Sequence, residues 1–354
     1  MDSAEINKIG IIGAGRMGTD IFNFLIANDY KLVWICIDET ETVFLQQSFE
    51  KRINRLHKCG IFDDQQLKEK LNSVLISHRA ENLSDCNLII ECIWEDIVRK
   101  KQMYQHILPF LSSKCILASN SSSFLPSQLL PDPTLDERFI GLHFFYPVKL
   151  KNIVEVIKTT NTSAETIEKV SEFCIKTAKR QLVQDEKNAF WLNRLFLDIQ
   201  NEAFLIHNEK NYTFEQIDAI IAEHLFPEGV FKFFDQVGID IMLQAIRNYT
   251  ADNPLPYRIM ITKLEELISE NKLGVKSKSG FYDYTGVNNK QGSALIRNDY
   301  YFLVLERLTS AYVMKAQELV NEGVCDKETL EFAAKEYMNT EQGPFSVSLN
   351  QNNQ

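Results

Sequence analysis

The chain of 354 residues lacks an excess of basic charge, a paired-cysteine pattern and any long apolar run. Each lack closes off a class of function. With 38 Lys and Arg against 48 Asp and Glu, the formal charge is −10. That argues against a nucleic-acid partner, because such proteins carry a basic face. The seven cysteines (Cys36, Cys59, Cys86, Cys92, Cys115, Cys174 and Cys325) are scattered, odd in number and set mostly among Ile, Leu and Val. Without a Cys-x-x-Cys pair they read as reduced, buried thiols in a cytoplasmic protein, and no metal is expected. No apolar run approaches membrane-spanning length, and residues 1–8 carry no apolar signal core, so the expectation is a soluble protein with no membrane partner. The length exceeds what one hydrophobic core serves and predicts two domains.

What is present begins with Ile9 to Ile12, a short apolar run that enters Gly13-Ala14-Gly15-Arg16-Met17-Gly18. Ile21, Phe22, Leu25 and Ile26 then recur at helical spacing. Strand, glycine turn and helix in this order form a pyrophosphate cradle: the glycines let the backbone come close, and the N–H groups of the helix start favour the negative charge. Gly13, Gly15, Met17 and Gly18 are the candidate contacts. A second strand, Leu32 to Ile37, ends at Asp38, about twenty residues beyond the last glycine, where a carboxylate can hold a ribose diol. No Arg or Lys lies between Asp38 and Glu50 to neutralise a 2′-phosphate, so NAD is favoured over NADP.

From Glu41 to Cys59 the spacing predicts an amphipathic helix with Phe44, Phe49, Ile53 and Leu56 on one side and Lys51, Arg52, Arg55 and Lys58 elsewhere. Those charges read as a solvated face; for a substrate carrying phosphates, Arg52 and Lys58 are the first candidates to hold them. Leu88 to Glu95 reads as a buried strand ending in acid, followed by a helix from Asp96 to about Phe110. Glu95 and Lys100 then sit where strand passes to helix, either on the cofactor side or as a surface ion pair.

Three further apolar runs, Cys115 to Ala118, Phe139 to Leu142 and Ile153 to Ile157, have strand length and no helical period. At or near their ends stand Ser122, His143 and Glu155. In an open parallel sheet, polar groups at carboxyl ends face the ligand crevice, which makes His143 a candidate proton-transfer group and Glu155 its orienting partner. A histidine among aromatics is also a common core residue.

Several segments in one order (Gly-Ala-Gly-Arg-Met-Gly, Ile-Ile-Glu-Cys-Ile-Trp-Glu, Ala-Ser-Asn-Ser-Ser-Ser, Gly-Leu-His-Phe-Phe-Tyr-Pro-Val, Leu-Asn-Arg-Leu and Gly-Phe-Tyr-Asp-Tyr) resemble the L-3-hydroxyacyl-CoA dehydrogenase family over nearly the whole chain. The spacings from His143 to Glu155 and to Asn193 agree with the family's catalytic spacing. The resemblance implies an α/β Rossmann-type dinucleotide-binding domain followed by an all-α C-terminal domain. It also implies NAD-dependent interconversion of an L-3-hydroxyacyl-CoA and its 3-oxoacyl-CoA. By that resemblance Ser122, His143, Glu155 and Asn193 are catalytic, Ser122 and Asn193 also touching substrate, and Glu95, Lys100 and Lys276 are cofactor contacts.

The sequence also departs from the family pattern. Tyr146 stands where the family has a site Asn and is a candidate substrate contact. Asp20 and Phe22 replace small residues on the first helix, and Ala189 replaces a glycine. Counting from the glycines puts Cys36 at the usual ribose-acid position, with Asp38 as a substitute on the same side of the strand.

The second half turns helical from Phe190, with Asn193 near its start. The expected division is 1–185 for the NAD-binding domain, 186–284 for the helical domain, 285–299 for a linker and 300–354 for a degenerate second helical copy. Leu305-Glu-Arg-Leu through Ala316, Gly323 and Gly343-Pro-Phe345 parallels Leu192-Asn-Arg-Leu through Ala203, Lys210 and Gly229-Val-Phe231, with Glu306 in the place of Asn193. Single-copy family members dimerise through this domain, so the resemblance leaves monomer and homodimer open, the second copy covering the dimer surface in the former case. Two rival functions stand beside the main reading. One is the same chemistry on a carrier-protein-tethered or free hydroxy acid; the other is a non-catalytic NAD-binding protein.

Overall fold

In the first half, apolar residues alternate between two faces. Ile9 and Ile11, Leu32 and Trp34, Leu88 and Ile90, and Ile116 and Ala118 join one core. Ile12, Val33 and Ile35, Ile89, and Cys115 and Leu117 join another. Strands covered on both faces need such continuous apolar runs, and the period of two sends neighbours to opposite sides. A computed structural model describes residues 5–209, 212–286 and 297–351, and the chain divides into two compact units, Met1–Ala189 and Phe190–Gln354.

The first unit runs β1 (Lys8–Ile12), α1 (Arg16–Leu25), β2 (Lys31–Ile35), α2 (Glu39–Lys58), α3 (Asp64–Asn72), β3 (Val74–Ser77), β4 (Leu88–Glu91), α4 (Ile97–Ile107), β5 (Ile116–Ser119), α5 (Pro126–Leu129), β6 (Phe139–Phe144), β7 (Ile153–Lys158), α6 (Ala164–Lys176) and β8 (Arg180–Asp185). Among the described residues these strands form one eight-stranded sheet in the order β3-β2-β1-β4-β5-β6-β7-β8. Every pairing is parallel except β6 with β7. The order reverses between β1 and β4, the switch point at which open α/β sheets of this Rossmann type bind ligands.

Three details differ from the sequence reading. β4 stops at Glu91, because the backbone N–H of Ile93 donates to the Glu91 carboxylate and turns the chain out of the sheet. Phe44 does not join Phe49 and Ile53 in the core but is 66 % exposed, lying more than a turn before Phe49, the first buried position of α2. Because β7 runs against β6, Glu155 lies inside its strand, directly across from His143, and not at a carboxyl end.

The second unit is helical: α7 (Trp191–Asn208), α8 (Phe214–His224), α9 (Val230–Val237), α10 (Ile239–Tyr249), α11 (Arg258–Ser269), α12 (Asp299–Asn321), α13 (Lys327–Met338) and α14 (Pro344–Gln351). In α8, Asp218 accepts from the backbone N–H groups of Phe231 and Lys232 and so closes the start of α9. In α13, Glu331 accepts from Gly343, Phe345 and Ser346 and closes the start of α14 in the same way. The two carboxylates stand at the same step after their helix N-caps, Thr213 and Asp326. Helix starts leave N–H groups without intrahelical acceptors, and one carboxylate can satisfy several of them. Most of the expected linker, 287–296, and Lys210 lie outside the described residues. Among the described residues no helix is long and apolar enough to cross a membrane.

Candidate active site

The glycine turn between β1 and α1 has two kinds of glycine. Gly13 has φ +104°, and a Cβ there would meet the Cys92 carbonyl oxygen at 2.8 Å. A Cβ on Gly18 would meet the Gly13 carbonyl oxygen at 2.1 Å. Internal packing accounts for both. A Cβ on Gly15 would meet nothing within 4 Å, and as the N-cap of α1 Gly15 offers no side-chain acceptor. The residues therefore fit a pyrophosphate approaching at Gly15, over the N–H groups of the first turn of α1. Met17 lies in that same turn.

Trp34 braces the turn by donating from Nε1 to the Gly13 carbonyl at 2.9 Å. Phe22 stacks on Trp34 with centroids 4.2 Å apart. Its bulk is thus accommodated by packing on the β2 side chain. Past β2, Cys36 is buried in the core and Asp38 is exposed, so the two do not share a side. The strand ends at Ile35, and beyond it strict alternation no longer holds. Asp38 also caps α2, accepting from the Glu41 N–H at 2.8 Å.

Glu95 and Lys100 form no surface pair. Lys100 is 1 % exposed, and its ammonium lies 2.5 Å from Glu91 and 3.2 Å from Glu95. Burial pulls the Lys100 pKa down, but the two carboxylates outweigh it and hold the pKa above its ordinary value. Ser119 and Tyr104 donate to the other Glu91 oxygen at 2.8 and 3.3 Å. Glu95 accepts from Ser121 and, at 2.9 Å, from Ser123. Asn120 accepts from the Phe144 N–H at 2.8 Å, tying the end of β5 to β6. Glu91, Tyr104, Ser119, Asn120 and Ser121 escaped the sequence reading. The available signal was an acid inside the apolar run Leu88-Ile89-Ile90-Glu91, which must find a cation once buried.

One network further along the sheet, His143 Nδ1 is 2.7 Å from Glu155 Oε2. His143 is 7 % exposed and Glu155 fully buried. The Phe145 ring meets the imidazole edge-on at 4.6 Å between centroids. With a carboxylate at Nδ1, the fitting neutral tautomer carries its proton there, which puts the basic lone pair on Nε2. Ser122 is half-buried in the loop after β5, the strand next to β6. The arrangement can hold and move a proton at the carboxyl edge of β6.

Family models match both units: 3-hydroxyacyl-CoA dehydrogenase, NAD binding domain, over residues 8–187, and 3-hydroxyacyl-CoA dehydrogenase, C-terminal domain, over residues 190–284. The chain belongs to the 3-hydroxyacyl-CoA dehydrogenase family. It is an NAD-dependent oxidoreductase. It is similar to the mitochondrial hydroxyacyl-coenzyme A dehydrogenase of Rattus norvegicus, 30 % identical over 79 % of this chain and 91 % of that protein. The 3-hydroxybutyryl-CoA dehydrogenase of Bradyrhizobium diazoefficiens is 29 % identical over 80 % of this chain and 97 % of its own. A crystal structure of 3-hydroxybutyryl-CoA dehydrogenase from Escherichia coli shares the fold with a TM-score of 0.84, covering 98 % of this chain and 92 % of that one at 17 % identity.

The remaining expected residues of this dehydrogenase have other surroundings. Arg52 and Lys58 are exposed on α2. Tyr146, 46 % exposed, follows β6, with the Arg16 guanidinium carbon 3.9 Å from its ring centroid. In the helical unit, Asn193 on α7 donates to the Tyr249 hydroxyl at 2.8 Å. Lys276 pairs with Asp240. Phe190, beside Ala189, takes a left-handed conformation (φ 58°) as it enters α7, a position where glycine costs less.

Proposed function

We propose that His143 is the acid–base group of a reversible L-3-hydroxyacyl-CoA oxidation, and the buried 2.7 Å contact between His143 and Glu155 carries this reading. His143 Nε2 takes the proton of the 3-hydroxyl during oxidation and returns it in the reverse direction. Glu155 fixes the imidazole through Nδ1–H and offers a negative charge to the imidazolium that forms, as carboxylates do behind catalytic histidines. Ser122 and Asn193 donate hydrogen bonds to the substrate oxygen and the thioester region as charge develops. NAD, when bound, supplies the hydride acceptor. Gly13, Gly15, Met17 and Gly18 cradle its pyrophosphate and Asp38 holds the ribose, with Glu95, steadied by Lys100, and Lys276 as further contacts. Tyr146 shapes the acyl end, and Arg52 and Lys58 hold substrate phosphates.

The proposal extends to domain bounds of 1–185, 186–284 and 300–354, the last a degenerate second copy. It places the reaction in the cytoplasm, where the Cys86, Cys115 and Cys174 thiols, pushed up to about 12 by burial, stay reduced and unreactive.

The test follows NADH absorbance with acetoacetyl-CoA and with the same acyl group on a carrier protein. Consumption with the CoA thioester is expected, and consumption with the carrier-linked group alone would move the substrate to that class. His143→Ala should lower turnover by about 10²–10⁴-fold while NADH still binds. Unchanged turnover would exclude His143 as the base.

A further inference from the structure

Two departures from the family pattern, Asp20 and Tyr146, meet at one place. Tyr146 and Val148 lie on the connection that leaves β6, three and five positions past His143. Arg16 and Asp20 lie one turn apart on the first two turns of α1. The Arg16 guanidinium covers the Tyr146 ring at 3.9 Å. The Val148 N–H donates to Asp20 Oδ2 at 2.6 Å. The helix that begins the pyrophosphate cradle is thereby clasped to the segment that follows the histidine strand.

The chemistry of that clasp bears on the cofactor. Arg16 is the first residue of α1, immediately after Gly15, whose outer face is open. Stacking engages the face of a guanidinium, whereas its donors point outward in the ring plane, so a stacked arginine can also grip phosphate oxygens bidentately. The surrounding charge favours that use. Asp38 and Glu41 follow the carboxyl end of β2 and Glu95 that of β4, the two strands that flank β1, and Lys100 pairs with Glu91 and Glu95. A pyrophosphate entering this acidic surround needs a counter-charge at the turn.

We propose that Arg16 is a pyrophosphate ligand for NAD in this chain and that Tyr146 is a positioning residue, holding the guanidinium over the open face of Gly15. The inference rests on NAD binding and not on the proton chemistry of His143, so it is read by equilibrium titration without turnover. Failure of the His143 reading would appear as unchanged turnover in His143→Ala, with the affinities below unaffected.

Dissociation constants for NADH, ADP-ribose and adenosine, from fluorescence or calorimetric titration, test it. Arg16→Gln should weaken NADH and ADP-ribose by about tenfold, the loss of one charge-assisted contact, and leave adenosine unchanged. Arg16→Lys, which keeps the charge but not the planar fork, should fall between. Tyr146→Asn should weaken ADP-ribose several-fold, and Tyr146→Phe should restore it because the ring face remains. Adding Tyr146→Asn to Arg16→Gln should weaken it no further. ADP-ribose binding unchanged in Arg16→Gln would overturn the assignment, as would an equal loss of adenosine. A Tyr146→Asn effect that adds in full to Arg16→Gln would overturn the positioning role.

Discussion

The helices α7 to α9 and α12 to α14 share a frame and, on the reading proposed above of a first and a second copy, differ in what they offer a substrate. Both close their third helix with a carboxylate from their second, Asp218 in one and Glu331 in the other. Both carry an arginine that reaches the far end of the opposite long helix. Arg194 on α7 lies 3.8 Å from Glu322 at the end of α12, and Arg307 on α12 lies 2.9 Å from Glu209 at the end of α7. Arg194 is as far from Arg307 in sequence as Glu209 is from Glu322, so the long helices pack as the two halves of a two-fold interface do. Asn193, however, is half-buried with its amide held by Tyr249, while Glu306, its counterpart, is exposed.

The largest effect should separate the copies at that position. Asn193→Ala is expected to lower kcat/KM by about 10²–10³, the loss from removing one donor to a developing charge. Glu306→Ala should leave turnover at the wild-type level. Parallel rate measurements decide it: equal losses would mean that both copies serve the reaction, and no loss in either would remove Asn193 from it.

How far the sequence foretold this picture follows the range of the forces involved. Strands were legible because a twice-covered strand must be apolar throughout, and the apolar run Ile153 to Ile157 stands inside β7, Ile153–Lys158. The glycine turn was legible because its geometry is local. Glu155 was found, but its place opposite His143 was not, since antiparallel register between β6 and β7 is set by the sheet as a whole. Lys100 was weighed as a surface ion pair because its partner Glu91 belongs to another element, and only the fold shows that water is excluded from both. Phe44 misled for the opposite reason: helical periodicity states which residues share a face but not how far the sheet extends beneath them.

The carboxylate that closes α9 also makes stability depend on pH. Burial, more than the amide and Tyr282 hydrogen bonds can offset, pushes the Asp218 carboxyl up to about 6. A carboxyl raised in the folded state binds its proton more tightly there than when unfolded. Its contribution is therefore fully present below the ordinary carboxyl pKa near 4 and is lost as pH rises through about 6. Urea unfolding across that window should show wild type losing stability with pH relative to Asp218→Asn, by up to about 3 kcal/mol. A flat difference curve would mean that Asp218 titrates as an ordinary acid.

The smallest effect tests the reciprocity of the arginines. Arg307 meets Glu209 through both terminal nitrogens and Glu202 through Nε at 2.6 Å, whereas Arg194 reaches Glu322 only at 3.8 Å. Partly exposed single pairs are worth about 0–1 kcal/mol, and a bidentate network stands at the upper end. Arg307→Ala should therefore cost about 1 kcal/mol in chemical denaturation and Arg194→Ala about 0.3 kcal/mol. If the α7–α12 contact takes the place of a second subunit, sedimentation equilibrium gives the mass of one chain for wild type, and both variants leave it unchanged. A stable dimer joined through α7 would break the comparison, because the second copy could not then occupy the surface that a partner uses.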